Sequence, residues 1–118
     1  MPSNLTPTEV FKCLADDTRV KMALLINREK ELCVCELTFA LDQGQSKISR
    51  HLALLRNCGL LSDRRQGQWV YYRLHPDLPQ WVNDVLSVTG KSNEEWLEEQ
   101  SCRLSQMGYR PARLTNKC

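Results

Sequence analysis

The segment formed by residues 36–57 constrains the fold most strongly, because it holds two short helical patterns with only a few polar residues between them. Residues 42–45 form the turn, in which we expect Gly44 to adopt a positive φ. Two helices joined by so short a turn are predicted to form a helix-turn-helix, with the second helix over about residues 46–57. The apolar residues at helical spacing are Leu37, Ala40 and Leu41, then Ile48, Leu52 and Leu55.

A β-hairpin is predicted directly after this pair of helices. Residues 60–65 are predicted to form one strand, and residues 69–74, which include Trp69 and two tyrosines, have strong β propensity. The tight turn between the two strands, residues 66–68, contains a glycine. The predicted fold is therefore mainly α with one β-hairpin, a winged helix-turn-helix in which the hairpin forms the wing.

Capping signals predict where the other helices begin and end. A Ser, Thr or Asp at the N-cap accepts a hydrogen bond from the first turn, and a glycine favours a helix end. The expected boundaries are a capping box at Thr6 and Glu9, a cap at Asp17, a fifth helix from residues 76–79 to Gly90, and a last helix from residues 92–95 to Met107.

The length of 118 residues fits a single domain, which we expect to comprise residues 1–108. Residues 109–118 contain few apolar side chains and are expected to form a flexible C-terminal tail. Residues 1–4 lack the basic and apolar segments of a signal peptide, and no apolar run approaches the roughly 20 residues of a membrane span. We therefore expect a cytoplasmic protein, whose six cysteines are kept reduced.

The distribution of charge indicates a nucleic-acid partner more clearly than the net charge of +2 does. Basic side chains concentrate in the second helix of the helix-turn-helix and in the hairpin, while residues 93–100 are acidic. The early residues of such a helix contact base edges in the major groove, and a wing contacts phosphates or the minor groove. The candidate DNA-binding residues are Gln45, Ser46, Lys47, Ser49, Arg50 and His51 in the helix, with Arg64, Arg65 and Gln68 in the wing.

Two of the cysteines, Cys33 and Cys35, are separated by a single residue. Thiolates are soft ligands that select soft partners, which include trivalent arsenic and antimony. In a regular helix these two residues lie about 200° apart, so they share one ligand only where the backbone is not helical. We therefore expect ligand binding to distort the start of the helix over residues 36–41 and to move Ser49 and Arg50 away from the DNA groove.

Four segments together resemble the ArsR/SmtB family of winged-helix metalloregulatory repressors, of the arsenic-responsive type. Residues 11–19 resemble its N-terminal signature, residues 31–37 its metalloid motif, residues 45–55 its recognition helix and residues 60–74 its wing. The resemblance implies a homodimer, paired through the first and last helices, on double-stranded operator DNA with two-fold symmetry. It further implies repression of an arsenic-resistance operon, no permanently bound cofactor, and release from DNA by As(III) or Sb(III) (arsenite, methylarsenite or antimonite).

The sequence departs from the arsenic-sensor pattern at Thr38, where many members carry a third cysteine. A third thiolate is then expected from Cys102 in the last helix or from Cys118 in the tail, of the same or the other subunit. Cys13 and Cys58 are expected to be inert, packed thiols. A site with only two thiolates suits a methylated trivalent arsenical, which has two exchangeable positions.

Other repressors of the same fold are alternatives. Cadmium- or lead-responsive members add cysteines ahead of the first helix, and none precedes Cys13 here. Zinc or nickel sensing through a late helix needs histidines, whereas residues 80–89 contain Asp84 but no histidine. A thiol-redox-responsive repressor would use the same Cys33 and Cys35, although a disulfide between them closes a small, strained ring. A constitutive DNA binder with incidental cysteines is the plainest alternative.

Residues 58–64 match the Cys-x5-Arg pattern of phosphatases and arsenate reductases. That chemistry needs a loop that runs from a strand into a helix N-terminus, where backbone amides surround an oxyanion. Here the pattern runs from the end of a helix into a strand, so we predict a DNA-binding regulator and not an enzyme.

Overall fold

The computed structural model describes residues 5–108, which form six helices and a three-stranded antiparallel sheet. The predicted tail and Cys118 lie outside the described residues. Within residues 5–108, no helix is both long and apolar enough to cross a bilayer. The elements in chain order are α1 (Pro7–Cys13), α2 (Asp17–Glu29), β1 (Leu32–Cys33), α3 (Val34–Leu41), α4 (Gln45–Asn57), β2 (Leu61–Gln66), β3 (Trp69–Leu74), α5 (Gln80–Ser92) and α6 (Glu98–Gln106).

The first two helices begin at side-chain caps. The predicted capping box at α1 is confirmed, because the Thr6 hydroxyl accepts from the Glu9 amide at 3.2 Å and the Glu9 carboxylate accepts from the Thr6 amide at 3.1 Å. The predicted cap of α2 at Asp17 is wrong. Asp16 is the extended N-cap residue, and its carboxylate accepts from the Arg19 amide at 3.1 Å. Asp17 is instead the first helical residue, where its charge faces the positive end of the helix dipole.

The turn of the helix-turn-helix reverses direction at Asp42 and not at the predicted Gly44. Asp42 ends α3 in the left-handed region with φ of 55°, a conformation that Asp tolerates better than most residues. Gly44 is extended with φ of −64° and forms the N-cap of α4. The predicted stop after α4 is confirmed at Gly59, where φ is 96°.

The C-terminal helices are shifted relative to their predicted ends. α5 continues past Gly90 to Ser92, and Gly90 remains helical beside Leu24 of α2. α6 begins at Glu98 and not within residues 92–95. The buried Leu97 lies just before it and packs into the core, so tertiary packing outweighs the local capping signal.

β1 adds a short third strand to the predicted hairpin. The sheet order is β1-β3-β2, with Leu32 opposite Tyr72 and Cys33 opposite Tyr71. The hairpin register runs from Leu61 opposite Leu74 to the pair Gln66 and Trp69 at the tip. Cys33 therefore belongs to the same sheet as the wing, while the next residue already begins α3.

The core fixes the position of the helix-turn-helix. The apolar sides of α3 and α4 are buried as predicted, and α6 packs against the outside of α3. Arg103 of α6 donates to the carbonyl of Ala40 at 2.9 Å and thereby caps the last turn of α3. Fully buried members of the core include Met22, Leu25 and Ile26 of α2, Leu37 of α3, and Ile48, Leu52 and Leu55 of α4.

A disulfide joins Cys13 to Cys58, contrary to the expectation that both are inert free thiols. Their Cα atoms lie 6.8 Å apart, at the upper end of the range that a disulfide spans. The bond ties the end of α1 to the exit of α4. No local pattern predicts this pairing, because 45 positions separate the two cysteines.

Candidate functional site

The N-terminal half of α4 presents a polar face to solvent. Burial of Ile48, Leu52 and Leu55 against the core fixes the rotation of the helix. The opposite side is then free for a nucleic-acid partner, and it combines two cations with hydroxyl and amide groups. The predicted DNA-binding residues exposed on this face are Gln45, Ser46, Lys47, Ser49 and Arg50.

His51 was also predicted to bind DNA, but the structure places it between α4 and the start of α2. Its Nδ1 lies 3.4 Å from a guanidinium nitrogen of Arg19, and its Nε2 lies 4.0 Å from the Asp16 carboxylate. Burial lowers the pKa of His51 below its ordinary value, and the carboxylate of Asp16 only partly offsets this. A largely neutral, inward-facing imidazole does not serve as a phosphate-binding cation, so the geometry supports a packing role.

Two neighbouring arginines of the wing, both predicted to contact DNA, have different surroundings in the structure. Arg65 and the turn residue Gln68 are exposed, as a DNA contact requires. Arg64 instead donates to both carboxylate oxygens of Glu31, at 2.6 and 2.8 Å, and stacks over Tyr71 with its guanidinium carbon 4.7 Å from the ring centre. Its charge is thus engaged within the protein, and the expectation that Arg64 contacts DNA is not supported by its placement.

Paired substitutions test this difference between Arg64 and Arg65. We expect Arg65→Ala to reduce the slope of log affinity for operator against log salt by about one, because one phosphate contact is lost. Arg64→Ala should leave that slope nearly unchanged and lower the free energy of unfolding by about 1 kcal/mol through loss of the bond to Glu31. Operator titrations at several salt concentrations, with urea unfolding of both variants, measure both effects. Equal salt slopes for the two variants would contradict the assignment.

Cys33 and Cys35 come together at the junction between β1 and α3. Cys33 is extended and forms the N-cap, whereas Cys35 lies in the first helical turn, and their Sγ atoms are 2.8 Å apart. Because Cys33 is extended and only Cys35 is helical, the two thiols meet at this boundary without distortion of α3. Cys33 is 1% exposed and Cys35 is half-buried, so Cys35 offers the first point of attack to an incoming ligand.

Glu36 holds this junction in place. Its carboxylate accepts a hydrogen bond from the Cys33 amide at 2.8 Å, although the side chain is fully buried. The spacing is that of a capping box in which Cys33 occupies the Ser or Thr position, a signal the sequence analysis missed. Burial raises the pKa of the Cys33 thiol far above its ordinary value, and the contact with Cys35 raises it further. Cys33 is therefore a protonated thiol at neutral pH.

Cys102, the predicted third ligand, is exposed on α6. Among residues 5–108, no three Cys, His, Asp or Glu side chains form a group able to hold a metal ion. Cys102 therefore does not complete a three-thiolate site with Cys33 and Cys35 within the described part of one chain. Its contribution to a site shared with another subunit stays a prediction.

Comparisons with known proteins agree with this arrangement. Residues 16–63 match the profile described as bacterial regulatory protein, arsR family. The chain is 64% identical to the arsenic resistance transcriptional regulator ArsR1 of Pseudomonas putida, over 91% of this chain and 84% of that protein. It is 57% identical to ArsR2 of the same organism, over 92% and 95% of the two chains. It is 53% identical to the arsenical resistance operon repressor of Escherichia coli, over 79% and 80%.

Solved structures show the same winged-helix architecture. Reduced HlyU from Vibrio cholerae superposes with a TM-score of 0.66 at 29% identity, covering 73% of this chain and 86% of that one. The antimony-specific transcriptional repressor AntR has a TM-score of 0.60 at 28% identity, covering 75% and 77%. A homodimeric winged helix-turn-helix domain from Mycobacterium bovis has a TM-score of 0.59 at 25% identity, covering 75% and 78%. The predicted fold class is confirmed.

Proposed function

Because this chain belongs to the bacterial arsR family of transcriptional regulators, we propose that it represses an arsenic-resistance operon and leaves its operator when trivalent arsenic or antimony binds Cys33 and Cys35. The observation that carries the proposal is the 2.8 Å separation of two thiols at the start of the first helix of the helix-turn-helix. The names of the three relatives and of the antimony-specific repressor support the choice of inducer. The prediction of a regulator and not an enzyme is confirmed by the family.

Release from DNA follows from where the thiols are attached. Cys35 belongs to α3, which packs against α4 and whose last turn is held by Arg103. A ligand that bridges Cys33 and Cys35 must hold their sulfur atoms farther apart than the 2.8 Å of the free protein, and it thereby shifts the start of α3 relative to β1. Such a shift lowers DNA affinity only if the ligand prefers the conformer that binds DNA poorly. A coupling of about 1 to 3 kcal/mol corresponds to roughly 5- to 150-fold weaker operator binding.

The proposed repressor acts in the cytoplasm as a homodimer on operator DNA with two-fold symmetry. The homodimeric structural neighbour supports this assembly. So do two large apolar side chains left exposed on one chain, Phe11 of α1 at 54% and Val88 of α5 at 63%. Phe11 packs edge-on against Trp81 of α5, so we infer that a second copy covers apolar surface on α1 and α5, whereas the family resemblance implies pairing through the first and last helices.

Operator binding by the reduced protein, followed by fluorescence anisotropy at fixed salt, tests the function. Arsenite and antimonite should release wild-type protein, and the Cys33→Ser/Cys35→Ser variant should bind operator normally but resist release by at least about 100-fold in ligand concentration. Cys102→Ser and Cys118→Ser test for a third ligand, because a weaker arsenite response in either variant would identify one. Release of wild-type protein by peroxide or cadmium alone would refute the proposal that trivalent arsenic or antimony is the inducer. Equal release of wild type and of the Cys33→Ser/Cys35→Ser variant would also refute it.

A further inference from the structure

The disulfide between Cys13 and Cys58 joins the end of α1 to the exit of α4, and the proposed function does not use it. Both cysteines are half-buried, so small oxidants and reductants can reach their sulfur atoms. The Cys13 Sγ lies 3.8 Å from the Leu54 carbonyl oxygen, and the Cys58 Sγ lies 3.3 Å from that of Leu55. The bond therefore lies beside the last turn of the helix proposed to enter the DNA groove.

The compartment proposed for this chain determines what such a bond can do. In the cytoplasm thiols are kept reduced, and a disulfide that does form there is usually transient and either catalytic or redox-sensing. The family to which this chain belongs consists of transcriptional regulators, so a catalytic role has no support. A cytoplasmic bond between Cys13 and Cys58 then fits a reversible, regulatory disulfide.

We propose that Cys13 and Cys58 form a reversible oxidation site, and that their disulfide holds the repressor in its operator-binding conformer and makes it resist release by arsenite. The inference rests on the proposed function, in which arsenite acts through Cys33 and Cys35. It adds a second input, the redox state of the cell, which acts through a separate pair of thiols and opposes the first.

Side-chain contacts already bring α1, α2 and α4 together beside the disulfide. The Arg19 Nε of α2 donates to the Cys13 carbonyl at 2.7 Å, and its Nη1 lies 3.4 Å from the His51 Nδ1 of α4. In the reduced protein, these polar contacts and apolar packing hold α4 beside α1, and both can rearrange. In the oxidised protein, a covalent bond fixes the same junction.

The direction of the effect follows from the conformer in which the disulfide forms. The bond is present here while the thiols of Cys33 and Cys35 are free, so it fits the conformer without inducer. The Cα atoms of Cys13 and Cys58 lie 6.8 Å apart, and a disulfide cannot span more than about 7 Å without backbone movement. The bond therefore opposes movement of α4 away from α1. Because α4 packs against α3, the shift of α3 that releases operator is resisted as well.

A hydroperoxide serves as the two-electron oxidant. The thiols of Cys13 and Cys58 together lose two protons and two electrons as the sulfur–sulfur bond forms. The O–O bond of the hydroperoxide breaks and accepts them, so hydrogen peroxide yields two molecules of water. A cellular thiol reverses the step by thiol–disulfide exchange, in which the cellular thiol is itself oxidised to a disulfide.

The test titrates arsenite against the operator complex of the full-length protein in two states, fully reduced and oxidised by hydrogen peroxide. Mass spectrometry of alkylated peptides identifies oxidised samples in which Cys13 and Cys58 are joined while Cys33 and Cys35 are free. Oxidation should raise the arsenite concentration for half-release roughly tenfold and change operator affinity without inducer less than about threefold. Cys58→Ser, treated with the same oxidant, should respond to arsenite like reduced wild type.

A reciprocal measurement starts from the reduced protein. Coupling acts in both directions, so arsenite bound at Cys33 and Cys35 should disfavour the disulfide between Cys13 and Cys58. In a fixed ratio of oxidised to reduced glutathione, saturating free arsenite should lower the ratio of joined to free pairs roughly tenfold. The Cys33→Ser/Cys35→Ser variant is the matched control, in which arsenite should leave this ratio unchanged.

Equal arsenite midpoints for the oxidised and reduced proteins would overturn the inference, as would a midpoint shift that persists in Cys58→Ser. It is also overturned if the oxidant fails to join Cys13 to Cys58. A lower joined fraction with arsenite in the Cys33→Ser/Cys35→Ser variant would overturn it too, because arsenite then binds Cys13 and Cys58 themselves. Failure of arsenite to release reduced wild type would instead refute the proposed function.

Discussion

Raising the pH from about 6 to about 8 should strengthen cadmium binding to the reduced protein at least 100-fold, while the arsenite concentration for half-release should change less than about threefold. Burial raises the pKa of Cys33, so its thiol stays protonated across this range. A divalent cation must displace that proton into solvent, and each proton released makes affinity rise tenfold per pH unit. Arsenite removes the same proton as water and is nearly indifferent to pH.

Cadmium affinity can be followed by the ultraviolet absorbance of cadmium–thiolate bonds in competition with a chelator. Arsenite is followed by operator release, corrected for the pH dependence of DNA binding without ligand. Cys33→Ser is the control, because it removes the protonated thiol and should flatten the cadmium response. A weaker rise of cadmium affinity with pH, together with arsenite binding that weakens as the pH rises, would mean that Cys33 is already a thiolate in the free protein. That outcome would favour a cadmium sensor.

Reduction of the Cys13–Cys58 disulfide should lower the free energy of unfolding by about 4 kcal/mol, from the entropy of a loop closed across 45 positions. Cys58→Ser should reproduce the loss without reductant. Guanidinium unfolding of the oxidised and reduced proteins, prepared separately, measures the difference. Cys102→Ser removes an exposed thiol outside the disulfide and should leave the oxidised midpoint unchanged.

Thiols are kept reduced in the cytoplasm, so the stability of the reduced protein applies there. The stability of the oxidised protein applies under oxidising conditions. Coincident unfolding curves for oxidised and reduced wild type would show that Cys13 and Cys58 do not pair in solution. The outcome does not bear on the inducer, since neither cysteine lies in the group formed by Cys33 and Cys35.

The parts of the fold predicted from sequence are those encoded by local patterns. The buried stripe of α4 and the β-prone run of β3 each lie within one element, so periodicity and propensity suffice to find them. The sequence does not predict the reversal at Asp42, because Gly44 lies two residues later and glycine tolerates a positive φ better than Asp does. Either Asp42 or Gly44 can adopt a positive φ, and the packing of α3 on α4 places it at Asp42.

The sequence predicts only those parts of the site whose residues lie close together along the chain. Cys33 and Cys35 were identified by their spacing, yet their meeting at a strand–helix junction depends on the pairing of β1 with β3. Arg64 and Arg65 lie on opposite faces of β2, and the face of Arg64 meets Glu31, which is 33 positions away along the chain. The disulfide is another contact between distant residues. Single-sequence patterns carry no information on such pairs.

The pairing of β1 with β3 has an evolutionary consequence. Cys33 lies opposite Tyr71, so the strand proposed to sense the inducer and the hairpin proposed to contact DNA share one ladder of hydrogen bonds. Mutations in β3 are therefore pleiotropic and alter inducer response and operator affinity together.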